Sequence, residues 1–373
     1  MRNLYIFVIL IMIFLIKSVK IETFKIIDLK KKGYHRCDDY PIGEVTTEIS
    51  NMRGLKKNND DWFMYYPCGY TDAEDEIKNI KITNEYQKIF MIDGCDYIVS
   101  KFTLWNILEK TYGINDAAKL LPKSYLSYNK DDVAKFWIFY NKKMKLNKNS
   151  KFIIKNDQQR QEGINLLRDR NEISKLIKKE EYVIQEYLEN PFTIIGHKIN
   201  LRYYLLIVCR ENKREAYIHV NGFVYYTAEK YEKDSLDFHK NITSGYVDRK
   251  IYENNPLTVE QFHMHLIKNN YNFKKYMSNL IKCFRKVLYA IEPYICKQKN
   301  LINNTRFQLF GCDIAPDNDL NVRILEFNKG PDFTPKDSRD KKVKLKVLHD
   351  ILDLIDDVNI IDLEEENNFV KIW

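Results

Sequence analysis

Residues 306–331 read RFQLFGCDIAPDNDLNVRILEFNKGP, and this stretch constrains the fold more than any other. Two apolar runs, 307–314 and 322–327, flank a polar turn carrying Asp317, Asn318 and Asp319. The pattern predicts a β-hairpin with turn chemistry between its strands. Each run ends in a hard oxygen donor within an apolar context: Asp313 on the first, Glu326 with Asn328 on the second. A carboxylate in an apolar strand is costly to bury unless it is paired or binds a metal. Hairpin pairing would set the three donors side by side, suited to Mg²⁺ ions that bridge nucleotide phosphates. The alternative is two carboxylates neutralised by a nearby cation such as Arg323.

A chain of 373 residues can bury a large core and is expected to hold two or three domains. Its 45% hydrophobic and 13% aromatic content argues for a folded protein throughout. The 60 basic and 52 acidic residues leave a charge of +8, which suits an acidic partner. The basic residues are dispersed, which argues against a nucleic-acid binder. Seven cysteines, at 37, 68, 95, 209, 283, 296 and 312, form no C-x-x-C pair. That spacing predicts neither a disulfide framework nor a zinc site, and favours a reducing compartment. The apolar run 4–16, between Arg2 and Lys17, fits a signal-peptide core and is short for a membrane span. An uncleaved signal-anchor, giving membrane association, or a buried N-terminal strand are the alternatives.

Local patterns alternate between helix and strand. Residues 100–112 have helical spacing behind a serine cap, and 131–144 form a second amphipathic pattern capped by two aspartates. Strands are expected at 120–127, 151–155, 164–167, 182–187, 202–210, 215–220 and 222–227. Helices are expected at 171–178, 271–295 and 349–358, and the acidic segment 362–368 is expected to be solvated. The hairpins make this an α+β fold with antiparallel sheet.

Chemistry-bearing side chains fall at strand ends. Lys155 ends a strand before a polar loop closed by Gly163, where a lysine meets phosphate as a point charge. The strand edge at 182–188 offers main-chain groups to an adenine. Lys198 and Arg202 converge at the start of an apolar strand, where they suit a triphosphate or a carboxylate. His263 and His265 are expected at the surface, and no Ser/His/Asp or Cys/His arrangement is evident.

Taken in order, SKFTLWNIL, LPKSYL, FIIK…GI, YVIQEYLENPFTIIGHKINLRYYLLIV, NGFVYYTAEKY and FQLFGCDI…VRILEFNKGP resemble the tubulin–tyrosine ligase-like family of ATP-grasp enzymes. The resemblance covers roughly residues 93–333. It implies an ATP-grasp fold: a leader at 1–20, an N-terminal α/β domain at 21–120, lobes at 121–190 and 191–360 sandwiching ATP, and an acidic tail at 361–373. It also implies phosphate-binding roles for Lys101 and Lys155, and an adenine hinge at Gln185, Tyr187 and Leu188. Lys198 would lie beside the nucleotide, Arg202 would grip substrate or terminal phosphate, and Asp313, Glu326 and Asn328 would hold magnesium. The implied reaction activates a protein carboxylate as an acyl phosphate and joins it to a free amino acid, glutamate or tyrosine. The usual acceptor would be the acidic tail of tubulin.

The chain departs from the family pattern in several places. Asn200 stands where an aspartate precedes the arginine, and Tyr225 stands where an arginine is expected. The segment His239-Lys240-Asn241-Ile242-Thr243 only approximates the family's H-x-T-N loop, and Asn156 replaces a proline. These departures leave open a different acceptor, or a degenerate protein that binds an acidic partner without catalysis.

Overall fold

The computed structural model describes residues 33–37, 42–69, 73–155, 163–211, 213–355 and 367–373. The leader, the loop 156–162 and most of the acidic segment 362–368 lie outside these residues. Two sheets organise the rest. The larger runs β13 (Thr243–Ser244), β12 (Phe223–Thr227), β10 (His197–Arg210), β14 (Arg306–Pro316), β4 (Lys88–Ile89), β3 (Met64–Tyr65), β1 (Gly33–His35), β2 (Lys56–Lys57). The hairpin partner β15 (Val322–Asn328) pairs with β14, while β9 (Thr193–Ile194) and β11 (Lys213–His219) pair with β10. The smaller sheet has the antiparallel order β5 (Ser124–Leu126), β8 (Val183–Glu186), β6 (Phe152–Lys155), β7 (Asn165–Leu167).

Strand β10 is the spine of the large sheet. Its run RYYLLIVC lacks polar alternation because both faces are covered, and Leu205 to Val208 are all nearly inaccessible. One half pairs with β12 and the other with β11, while β14 runs alongside. The helix Phe273–Ile291 covers the sheet with Tyr276, Leu280, Phe284, Val287 and Ile291, a spacing of three and four residues that forms one apolar stripe. The small sheet has its own core, where Phe136 from the helix Lys130–Leu146 packs on Phe152 and Tyr125. Truncating a fully buried aromatic such as Phe136 costs about 3–5 kcal/mol.

The α+β expectation and the central hairpin hold. The turn closes through Asp317, whose carboxylate accepts from the Asp319 and Asn321 amides. Ser100 caps the helix Lys101–Tyr112 by accepting from the Thr103 amide. Other expectations change. Asn129, rather than the aspartates after it, caps Lys130–Leu146, because its side chain reaches the Asp131 and Asp132 amides. The last long helix spans Ser338–Ile355, starting well before residue 349 because its first turns bury Val343 and Val347. Beyond the acidic segment the chain returns to the sheet as β16 (Phe369–Lys371), paired with β11.

Two disulfides overturn the expectation of none. Cys37 bonds Cys68 and Cys209 bonds Cys296, with Cα atoms 5.3 and 6.3 Å apart. Partners separated by 31 and 87 residues meet only through the fold, so local spacing carries no sign of them. The argument for a reducing compartment falls with that expectation. Cys95, Cys283 and Cys312 are free and buried. His263 is not a simple surface residue: its Nε2 lies 2.9 Å from the Tyr203 hydroxyl, and burial lowers its pKa to about 4. Among the described residues no helix is long and apolar enough to cross a membrane.

Candidate active site

Residues opposite one another in an antiparallel ladder share a face of the sheet, as do residues two apart on one strand. Asn200 lies opposite Tyr225, Arg202 opposite Asp313, Asp313 opposite Glu326, and Gly311 opposite Asn328. The register therefore gathers these side chains, with Lys198, on one face of the large sheet. Between Asp313 and Ile314 the ladder shifts, a bulge that inserts Leu325 beside Glu326. Gly311 makes room for the central cation, since a Cβ there would stand 3.1 Å from Arg202 Nη1.

The two carboxylates are each held by a cation. Arg202 grips Asp313 with both prongs, Nε to Oδ1 at 2.5 Å and Nη2 to Oδ2 at 3.1 Å. Lys101 Nζ, in the first turn of its helix, lies 3.2 Å from Glu326 Oε2. Burial alone would raise the Glu326 pKa, but Lys101, Lys155 and Arg202 together hold it down at about 2. Asp313 is shifted upward, because burial and the Glu326 charge outweigh the guanidinium. Arg323, the sequence's alternative partner, sits opposite Ala315 and takes neither carboxylate.

The small sheet supplies the facing wall. Ile153 pairs with Gln185, placing Lys155 and Gln185 on one side, while Phe152 and Ile154 enter the core. Lys155 donates to Gln185 Oε1 at 2.9 Å, and Gln185 Nε2 donates to Ser124 Oγ at 2.9 Å. Tyr187 lies between two ammonium groups, Lys151 at 4.4 Å and Lys198 at 4.5 Å from its ring centre. Lys198 donates to the Asn241 carbonyl at 3.0 Å, and Lys151 to the Asn241 side-chain oxygen at 2.5 Å. Neither ammonium meets a carboxylate among the described residues. Burial first, and then the Lys151 charge, lower Lys198 to about 7. Burial, and then Arg168, lower Lys151 to about 8.

One cleft is lined by Lys101, Lys155, Gln185, Tyr187, Leu188, Lys198, Asp313 and Glu326, so most of the expected residues converge. Arg202 and Asn328 stand just behind this lining, Arg202 on Asp313 and Asn328 with its amide nitrogen 3.4 Å from Glu326 Oε1. Tyr187 contributes its ring as a floor for cations, and its hydroxyl hydrogen-bonds Asn241 Oδ1 at 2.9 Å. Sequence reasoning passed over Lys151 as the start of a strand, and left Asn241 and Thr243 in an uncertain loop. Asn200, also on the cleft wall, donates to Thr243 Oγ1 at 2.8 Å, while its own oxygen is buried without a partner. The two carboxylates and the Asn328 amide form an all-oxygen donor set suited to a hard divalent cation. Asn200 lines the same cleft, and its unsatisfied oxygen fits a bound ligand that supplies a donor.

The profile of the Tubulin-tyrosine ligase family matches residues 79–367. The chain is 25% identical over 323 residues to the tubulin polyglutamylase TTLL6 of Mus musculus, covering 81% of this chain and 38% of that protein. It is 29% identical over 185 residues to the probable tubulin polyglutamylase TTLL9 of Rattus norvegicus, covering 48% and 39%. It is 23% identical over 345 residues to the probable tubulin polyglutamylase ttll-9 of Caenorhabditis elegans, covering 88% and 81%. The chain thus spans little more than a third of the length of its mouse relative.

Proposed function

We propose an ATP- and Mg²⁺-dependent ligase activity for this chain, which belongs to the tubulin-tyrosine ligase family. The reading rests above all on one observation: Asp313 and Glu326 oppose each other in the register, each beside a cation, at the end of a cleft rich in lysine. In this ATP-grasp reading, the hinge at Gln185, Tyr187 and Leu188 holds the adenine. Lys155, Lys198 and Lys101 hold the phosphates. Asp313, Glu326 and Asn328 would hold Mg²⁺, two ions in this reading; when bound, the metal neutralises charge that develops on the transferring phosphoryl group.

The acceptor carboxylate attacks the terminal phosphorus, giving an acyl phosphate and releasing ADP. The amine of a free amino acid then attacks the acyl carbon, forming an amide and expelling phosphate. Arg202 supports the charge that builds on the reacting oxygens, and no protein nucleophile is required. The named activities of the relatives favour glutamate over tyrosine as the amino acid, and an acidic tubulin tail as the acceptor. A chain charge of +8 would draw such a tail inward.

The test is mass spectrometry of tubulin after incubation with ATP, Mg²⁺ and mixed amino acids. A ladder of glutamyl additions with matching ADP formation is the expected result. A second reading, an ATP-grasp protein that binds an acidic partner without turnover, draws on Asn200 and Tyr225 at positions where the resemblance implies charge. Microtubule binding without ADP formation would favour it.

A further inference from the structure

Arg202 does not end the positive charge on this face. Its guanidinium lies 5.4 Å from the ring centre of Tyr225, and Lys336 Nζ lies 5.9 Å from the same centre. One phenol ring thus spaces two cations, the first of which already grips Asp313. Lys336 comes from the loop that follows the hairpin and is half-buried. It donates to the Gly245 carbonyl at 2.6 Å and lies 4.1 Å from the ring centre of Tyr246.

The acidic groups near this lysine are engaged elsewhere. Asp340 takes the Lys344 ammonium at 2.7 Å and, of Lys336, only the main-chain N–H at 3.4 Å; Asp337 takes Arg249 and Arg339, and Asp332 accepts from the Thr334 amide at 2.9 Å. Among the described residues, then, the Lys336 ammonium meets aromatic faces and a main-chain oxygen but no carboxylate. Space for it is specific: a Cβ on Gly245 would stand 2.6 Å from Lys336 Nζ. A partly desolvated cation without a counter-ion favours a small anion that brings one.

We propose that Lys336, across Tyr225 from Arg202, binds the carboxylate of the free amino acid whose amine enters the product. The assignment rests on the ligase reading above. Lys336 is outside the lining of the nucleotide cleft, which leaves it available to the second substrate. An amino acid anchored there by its carboxylate would present its amine toward the Arg202–Asp313 end, where the acyl phosphate would form.

The experiment measures steady-state kinetics of amino-acid transfer and, separately, calorimetric binding of ATP with Mg²⁺, for wild type, Lys336→Gln, Lys336→Arg and Gly245→Ala. Loss of one charge-assisted contact should raise the KM for the amino acid about 10- to 100-fold in Lys336→Gln. The nucleotide Kd should stay unchanged, and Lys336→Arg should recover most of the loss. Gly245→Ala should raise the same KM by displacing the ammonium without removing it. An unchanged KM in Lys336→Gln, with wild type active, overturns the inference and leaves the ligase reading standing. A wild type that binds nucleotide but transfers no amino acid overturns both.

Discussion

The cleft holds two kinds of cation, and they are stabilised in opposite ways. On the large sheet, Arg202 and Lys101 each lie against a carboxylate, Asp313 and Glu326. Around Tyr187, Lys198 and Lys151 meet, among the described residues, two tyrosine rings, a phenol hydroxyl, main-chain carbonyls and the Asn241 side-chain oxygen, but no carboxylate. Although burial opposes its charge, Arg202 is held well above its usual pKa by the Asp313 carboxylate and stays charged. The second pair is lowered to about 7 and about 8, so its charge depends on pH and on what is bound. In the proposed ligase reading, one half of the cleft is a clamp that would exchange partners when ligand arrives, and the other would gain a partner it lacked.

The largest effect should come from breaking the paired half. Arg202→Met leaves Asp313 buried without its counter-charge, and removing one member of a buried pair costs about 3–5 kcal/mol. Thermal denaturation should show a large fall in Tm together with loss of activity; an unchanged Tm would mean the pair carries no stability. Lys198→Met should do the reverse, leaving Tm unchanged or raised while weakening ATP binding about 10- to 100-fold, as read by calorimetry.

Between these two in size is Glu326→Gln, which keeps the shape but removes one metal donor's charge. ADP formation should fall about 10²- to 10³-fold, the scale of losing one electrostatic contact to a transition state. Retained turnover would sink the metal assignment.

Smaller still is a pH effect confined to the unpaired half. Lys198 has a folded pKa below its unfolded one, so its burial penalty is complete below about pH 7 and fades as pH rises toward the usual lysine range. For nucleotide binding the sign follows from the protonated form being the one that phosphate prefers. Below about pH 7 the ammonium is already present; above it, binding must take up a proton, and affinity should fall with rising pH. Calorimetry in two buffers of different ionisation enthalpy would detect that uptake, and none at pH 8 would contradict the lowered pKa. The smallest change is expected from Asn200→Asp. A carboxylate two residues along the same strand face raises the Lys198 pKa, so proton uptake at pH 8 should shrink.

The sequence made the hairpin legible because its apolar runs and Asx turn are local signals, and the register then follows from pleat geometry. It also placed Lys155 at the end of its strand, whereas Asp313 and Glu326, expected at strand ends, lie inside β14 and β15. Which cation meets which carboxylate was not legible. Lys101 and Glu326 are far apart in the chain, and Arg323, the obvious neighbour, lies too far along the ladder. Lys151 was hidden because a lysine opening a strand ordinarily faces solvent, whereas here it is 2% exposed. The disulfides were hidden for the same reason: each joins segments that only the finished sheet brings together.

The last strand has a consequence for handling this protein. β16 covers one side of β11, and Ala216 exchanges main-chain hydrogen bonds with Ile372 and Trp373. Deleting residues 367–373 would bare a run of open amides and carbonyls on a strand that reads KREAYIH. Such an edge is a template for a second molecule, so the shortened chain should self-associate at concentrations where the intact one stays dispersed.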